Sequence, residues 1–352
     1  MRTLAHNQIF LLLILFVFIG TANGQVEKTK EVHKTFKTNN STLLRIDNRY
    51  GEVHIETWAK DEVKLDIIVT IKKRSEARAD EILNNIDFDI SESSSVVSIE
   101  TKINGSINTG KSDNFSIDYK VFMPKANPLN VKNKYGSFYL ADFDGRLELE
   151  IKYGNMKVRN VKGKSFIALG YGSGEIESLN NGELEISYSN MTIERMGEME
   201  VYSKYSKLEF NKIGKMYIEN KYGNVNVGEA VSIEGDIKYG GMRVAKLSKK
   251  LLLECKYGSG VNVDWISKDF EMVRLRSGYA SSRLIFEKGF TARFDGNFRY
   301  CNLRYPEGDF DFSEIHESSN QSEYHGVMGK GTPKSQISIN SEYGDVKIDF
   351  DY

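Results

Sequence analysis

A tyrosine followed by glycine, or by a close variant of that pair, returns along this chain at a nearly constant interval. Tyr135, Tyr153, Tyr171, Tyr188, Tyr205, Tyr222, Tyr239 and Tyr257 are separated by 17 or 18 residues, and looser copies stand at Tyr50, Tyr279, Tyr300 and Tyr343. A repeat this short cannot bury its own apolar face, so each unit must stack on its neighbours. The chain is therefore expected to be an all-β solenoid, which grows by adding rungs. Its 352 residues need not divide into several globular domains.

Aligned on the tyrosine, positions −4 and −2 are apolar, as in Leu149 and Ile151 or Leu184 and Ile186. Positions +3, +5 and +8 are apolar too, as in Met191, Ile193 and Met196. Alternation of period two on each side of the tyrosine predicts two short strands joined by a sharp corner. The pairs Tyr153-Gly154, Tyr222-Gly223 and Tyr239-Gly240 are the expected structural corners, with glycine supplying positive φ. The change of parity places the tyrosine rings inward, stacked as an aromatic ladder. Successive rungs retrace one path and so pair in parallel. A rung of this length, folded into two facing strands, leaves room for side chains and none for a tunnel.

The regular coil is expected over residues 127–305. Ahead of it, Asn48-Arg49-Tyr50-Gly51 marks a separated rung. Residues 62–71, 95–103 and 115–123 have the pattern of strands. Residues 75–86 have that of the one helix, with Ser75 as its cap and Ala79, Ile82, Leu83 and Ile86 on one face. This segment caps an open solenoid end that would otherwise invite strand-to-strand aggregation. Residues 313–334 are polar and glycine-rich and are expected as a loop, and residues 337–350 carry a last rung around Tyr343.

Residues 1–24 have the features of a secretory signal: Arg2, the apolar run 9–19, and Ala22-Asn23-Gly24 before the cleavage point. The expected division is thus a signal at 1–24, a capping segment at 25–126 and the solenoid at 127–352. No later segment is apolar enough to cross a bilayer as a helix. Net charge is −1, from 48 basic and 49 acidic side chains, which argues against nucleic acid as a partner. Cys255 and Cys301 fall at different repeat phases about two rungs apart, so two free thiols are expected.

Three outward columns accompany the coil. Position −1 is cationic, including Lys134, Lys152, Lys204, Lys221, Lys238 and Lys256. Position −3 is acidic, including Glu150, Glu185, Glu219, Asp236 and Glu254. These two form either a charged strip for an anionic polysaccharide or divalent cations, or a solvated face. Position +2 is often Asn or Ser, suited to hydrogen bonds along the stack. Outward aromatics are few: Phe166, Tyr202, Tyr217 and Trp265. Tyr202 and Tyr217 lie on successive rungs and, with Lys204, Lys221 and Lys238, are the candidate surface-binding residues. No catalytic, metal or cofactor motif stands out, and no group breaks the repeat as a catalytic residue would. The irregular stretch 301–334 is either a site carried on a loop or a flexible end cover.

The signal, the Asn-Arg-Tyr50-Gly rung, the helix-bearing insertion and the serial Lys-Tyr-Gly rungs together resemble the bacterial putative-adhesin β-helix family, related to auto-transporter adhesin heads. The resemblance covers residues 43–350. It implies a single-stranded right-handed parallel β-helix exposed outside the cytoplasm, and transfers no catalytic residue. The expected function is that of an exported, non-enzymatic binding, adhesin-like or structural protein of the bacterial envelope. Such a protein is placed in the periplasm, at the outer cell surface or secreted, with envelope or surface glycans or proteins as partners. The alternatives are a polysaccharide-active enzyme on a β-helix, or a periplasmic scaffold or sensor in envelope stress regulation.

Overall fold

A computed structural model describes residues 25–105, 114–306 and 308–351. The signal-like segment lies outside them. Among the described residues the chain is mostly β, with one helix, and its core is a stack of parallel strands. Six long strands form the regular part: Asn155–Gly170, Ser173–Ser187, Asn190–Lys204, Lys207–Lys221, Asn224–Lys238 and Gly241–Lys256. Each pairs in parallel with the next, so that Ser173 lies beside Asn190 and Asn190 beside Lys207.

In Asn190–Lys204 the buried residues are Met191, Ile193, Met196, Met199, Val201 and Ser203. The spacing of two slips to three on either side of Met196, so the chain turns twice between one tyrosine and the next. The apolar positions read from sequence all point inward. The regular interior is packed with Leu, Ile, Val and Met side chains, nearly all with no more than a few per cent of their surface exposed.

The tyrosine corner differs from expectation in two respects. All twelve tyrosines have φ between 52° and 64°, whereas the glycines that follow do not carry positive φ. A left-handed residue rotates its Cβ out of the alternation, so parity cannot be carried through the corner. The rings consequently point outward: from Tyr135 to Tyr343 they are 44–53% exposed. Where a glycine follows the tyrosine, it permits close approach of the neighbouring backbone. A Cβ on Gly154 would lie 2.0 Å from the Gly136 carbonyl oxygen of the neighbouring rung. The ladder itself is present. Eleven stacked contacts join the twelve rings, with centroids 4.6–5.4 Å apart. That is about one inter-strand spacing. Inside the corner, the buried Asn220 amide donates to the Gly223 carbonyl at 2.7 Å, and Ser341 Oγ to the Gly344 carbonyl at 2.6 Å.

At the N-terminal end the Tyr50 rung is covered by Val96–Ile103 and Asn114–Pro124. Val26–Lys37 pairs antiparallel with Glu62–Lys73, which in turn pairs with Asn114–Pro124. The helix Glu76–Asn84 buries Ala79 and Ile82, and Ser75 Oγ accepts from Arg78 N as its cap.

At the other end, stacking order departs from chain order. The last rung, Ser335–Glu342 and Val346–Asp351, inserts beside Met272–Gly278 and Ser282–Glu287 on one side and Thr291–Arg299 and Leu303–Arg304 on the other. Tyr343 accordingly stacks between Tyr279 and Tyr300. Residues 313–334, expected as a loop, belong largely to a hairpin. Phe310–Glu317 and Gln321–Gly329 pair antiparallel, and the second strand lies against Thr291–Arg299. Phe310, Phe312 and Tyr324 pack on Phe294 and Phe298, and this burial holds an otherwise polar segment in strand form. Cys255 is buried and Cys301 half-buried, both free.

Candidate binding surface

The strand preceding each tyrosine has an inward face at −6, −4 and −2 and an outward face at −5, −3 and −1. The outward faces of successive rungs form one continuous sheet surface beside the tyrosine ladder. At its edge the −1 lysines stand next to the rings, and the Lys134 ammonium lies 5.1 Å from the Tyr135 centroid and 6.0 Å from that of Tyr153.

At two rungs where −3 is acidic, the lysine two residues on pairs with it. Lys152 Nζ is 2.6 Å from Glu150 and Lys256 Nζ is 2.5 Å from Glu254. These bonds lower the pKa of Glu150 and of Glu254 and raise those of the two lysines.

The pattern changes at the centre. Tyr202 takes an acidic position and Tyr217 lies on the next strand, their rings 6.3 Å apart and tilted by 59°. Tyr202 OH donates to Glu200 at 3.0 Å and Tyr217 OH to Glu219 at 2.9 Å. The bond to Glu219 is the main reason the Tyr217 pKa is pushed up to about 12, and the bond to Glu200 raises that of Tyr202. Among the described residues, Lys204 and Lys221 have no carboxylate within ion-pair reach, and neither has Lys238. The cause for the first two is local. Tyr202 replaces the carboxylate that would flank Lys204, and Tyr217 OH occupies the one that flanks Lys221.

On the adjacent rungs the columns are interrupted. Ala168 replaces the acid, and Gly170 and Ser187 replace the lysine. The result is an open depression of about 520 Å³ with these small residues as its floor and Phe166, Tyr202, Lys152, Lys204, Lys221 and Glu185 around it. The charged columns of the repeat are thus interrupted here, without a group of catalytic type. The signal was the loss of side-chain bulk at 168, 170 and 187 rather than the gain of a reactive group. A second depression of about 640 Å³ lies at the far edge of the same sheet surface. Its Lys215 and Lys250 are engaged by Glu198 and Glu271, at 3.7 and 3.0 Å, which leaves Lys164 as its one lysine without an ion-pair partner among the described residues, against two in the first depression.

Of the residues singled out in sequence, Tyr202, Lys204 and Lys221 line the first depression, whereas Tyr217 lines the second, its ring 6.3 Å from that of Tyr202. Lys238 is one rung beyond and lines neither depression. The +2 column bonds along the stack as expected: Asn155 Oδ1 accepts from Ser173 Oγ at 2.7 Å and Asn224 Oδ1 from Gly241 N at 3.1 Å. Among the described residues no group of three or more His, Cys, Asp or Glu is arranged to hold a metal ion, and no helix is long and apolar enough to cross a membrane.

Fold and surface together define a stacked-strand β protein with an open polar and aromatic face. Solved structures similar to it include a putative cell adhesion protein from Clostridium sporogenes ATCC 15579, with 13% identity, 92% of this chain and 100% of that one covered, and a TM-score of 0.19. A putative adhesin from Parabacteroides distasonis ATCC 8503 is 10% identical over 91% of this chain and 97% of that one, with a TM-score of 0.32. A putative lipid binding protein from the same organism is 12% identical over 90% and 96%, with a TM-score of 0.26. No family model matches the chain. No curated protein matches it either. The similar structures identify no residue of the surface.

Proposed function

We propose that the chain is an exported, non-enzymatic binding protein of the bacterial envelope. In this reading it is a right-handed parallel β-helix of 17–18-residue rungs, with residues 25–126 as its capping segment and residues 127–352 as the coil. The working surface is the outer sheet face around Tyr202, Tyr217, Lys204 and Lys221.

The observation that carries this reading is the interruption at Ala168, Gly170 and Ser187. It opens a depression beside aromatic side chains and two lysines without ion-pair partners. Sites that bind small polar ligands combine apolar walls with a few convergent polar groups. The surrounding carboxylates fit binding better than hydrolysis, because Glu150 is engaged by Lys152 and Glu219 by Tyr217.

The test is retention of native envelope fractions, glycan and protein, on the immobilised protein. A Tyr202→Ala/Tyr217→Ala double variant with an unchanged melting temperature is expected to lose the retained component. Equal retention by the variant would move the working surface elsewhere.

A further inference from the structure

The depression holds three kinds of group that together specify a ligand class. Phe166 and Tyr202 supply half-buried aromatic surface across a floor of Ala168, Gly170 and Ser187. Glu185 is exposed and makes no hydrogen bond or ion pair with the protein, so it is free to accept from hydroxyl groups. Lys204 and Lys221 are direct register partners on neighbouring strands, about 4.8 Å apart in backbone. Two ammonium groups side by side repel, and a bound carboxylate between them relieves the repulsion.

Resting on the binding reading above, we propose that this depression takes a carboxylate-bearing sugar unit of an acidic glycan. The sugar carboxylate lies between Lys204 and Lys221, its hydroxyls donate to Glu185, and its apolar C–H face lies against Phe166 and Tyr202.

The charge balance around the depression separates this ligand from a denser polyanion. Lys152, Lys204 and Lys221 are matched by Glu150, Glu185 and Glu219. A continuous phosphate backbone meets those carboxylates, whereas an isolated carboxylate surrounded by hydroxyls meets both signs in the places it needs them. Lys238 supplies an internal control. It lacks an ion pair like the other two, is next in the same column, and lies outside the depression.

The experiment is calorimetric titration of the purified protein with tetragalacturonate and with a glucuronate-containing hyaluronan oligosaccharide, each compared with its neutral methyl ester. Binding of at least one acid form is expected, weakened about tenfold or more by esterification. Lys204→Gln and Lys221→Gln each weaken it to a similar extent, Lys204→Arg retains it, and Lys238→Gln leaves it unchanged. Phe166→Ala weakens both the acid and the ester. Thermal melting of every variant verifies the fold.

The proposal is overturned by absence of binding to both acids or by equal affinity for acid and ester. An equal effect of Lys238→Gln also overturns it, as does an oligodeoxynucleotide that binds as tightly with the same lysine dependence. If the acids fail while Tyr202→Ala/Tyr217→Ala still abolishes retention of an envelope component, the ligand class falls and the binding surface stands.

Discussion

The Gly223 carbonyl oxygen stands 2.0 Å from the point that a Cβ on Gly240 would occupy. The relationship recurs at the corners where a glycine follows the tyrosine, and it makes that glycine a matter of spacing between backbones. Ser189, Ser206, Ala280 and Cys301 carry a Cβ at the corresponding corners. Gly240→Ala is expected to lower stability by about 1–3 kcal/mol, the usual cost of overpacking. At Gly278 an added Cβ would meet only side-chain atoms, the nearest Lys256 Cγ at 3.5 Å, so Gly278→Ala is neutral or stabilising. Ser189 and Ser206 occupy the same corner position as Gly240 and return their hydroxyls to the Ser187 and Lys204 carbonyls. Gly240→Ser is therefore milder than Gly240→Ala. Denaturant midpoints of the three variants check the order.

Tyr222 combines a left-handed backbone, φ 56°, with ring stacking on Tyr205 and Tyr239 at 4.7 Å each. Each stack contributes ~0.5–1.5 kcal/mol. Tyr222→Gly loses both stacks and relieves the backbone strain. Tyr222→Val loses both and worsens the strain, because a β-branched residue tolerates positive φ poorly. The valine variant is expected to melt below the glycine variant, the reverse of ordinary strand preference. A valine variant equal to or more stable than the glycine one contradicts the corner geometry.

The hydrogen bond to Glu219 raises the Tyr217 phenol pKa to about 12 from an ordinary 10.0. A raised pKa means that the folded state holds the proton more tightly than the unfolded one. The associated stability is complete below pH 10 and is lost as pH rises toward 12. Tyr217→Phe removes this contribution and releases Glu219 to pair with Lys221. In an ultraviolet titration the variant should lack one late-ionising phenol. If the count of phenols titrating near pH 12 is unchanged, the bond is absent in solution.

Burial raises the Cys255 thiol to about 11, and Cys301 is only half-buried, its Sγ 3.4 Å from the Ser341 carbonyl. A thiol-specific reagent at neutral pH is expected to label Cys301 in the native protein and Cys255 only as it unfolds. Raising pH above the ordinary thiol pKa of 9.0 favours the unfolded chain, where the thiolate is solvated. Mass spectrometry of tryptic peptides after native labelling reads the result, and equal labelling of both cysteines counts against the packing.

Much of the architecture was legible because a repeat multiplies each weak local signal. The inward positions +3, +5 and +8, the stacked tyrosines and the Ser75-capped helix all follow from periodicity and capping chemistry. The hairpin at Phe310–Glu317 and Gln321–Gly329 was not legible, since its alternation is short and diluted by charge. Its partners, Phe294 and Phe298, come from a strand earlier in the chain. The depression escaped notice for a related reason. Ala168, Gly170 and Ser187 are unremarkable residues singly, and they form a floor only when adjacent rungs place them side by side.

Period and polarity, both local properties, were enough to dictate parallel stacking and the apolar interior. Which way the phenol rings face, where the final rung slots in beside Tyr279 and Tyr300, and which lysines stand without an acid partner depend on the conformation of single corner residues and on neighbours distant in sequence. Those features required the assembled coil, because a left-handed corner resets the side-chain alternation that sequence periodicity can follow only along extended backbone.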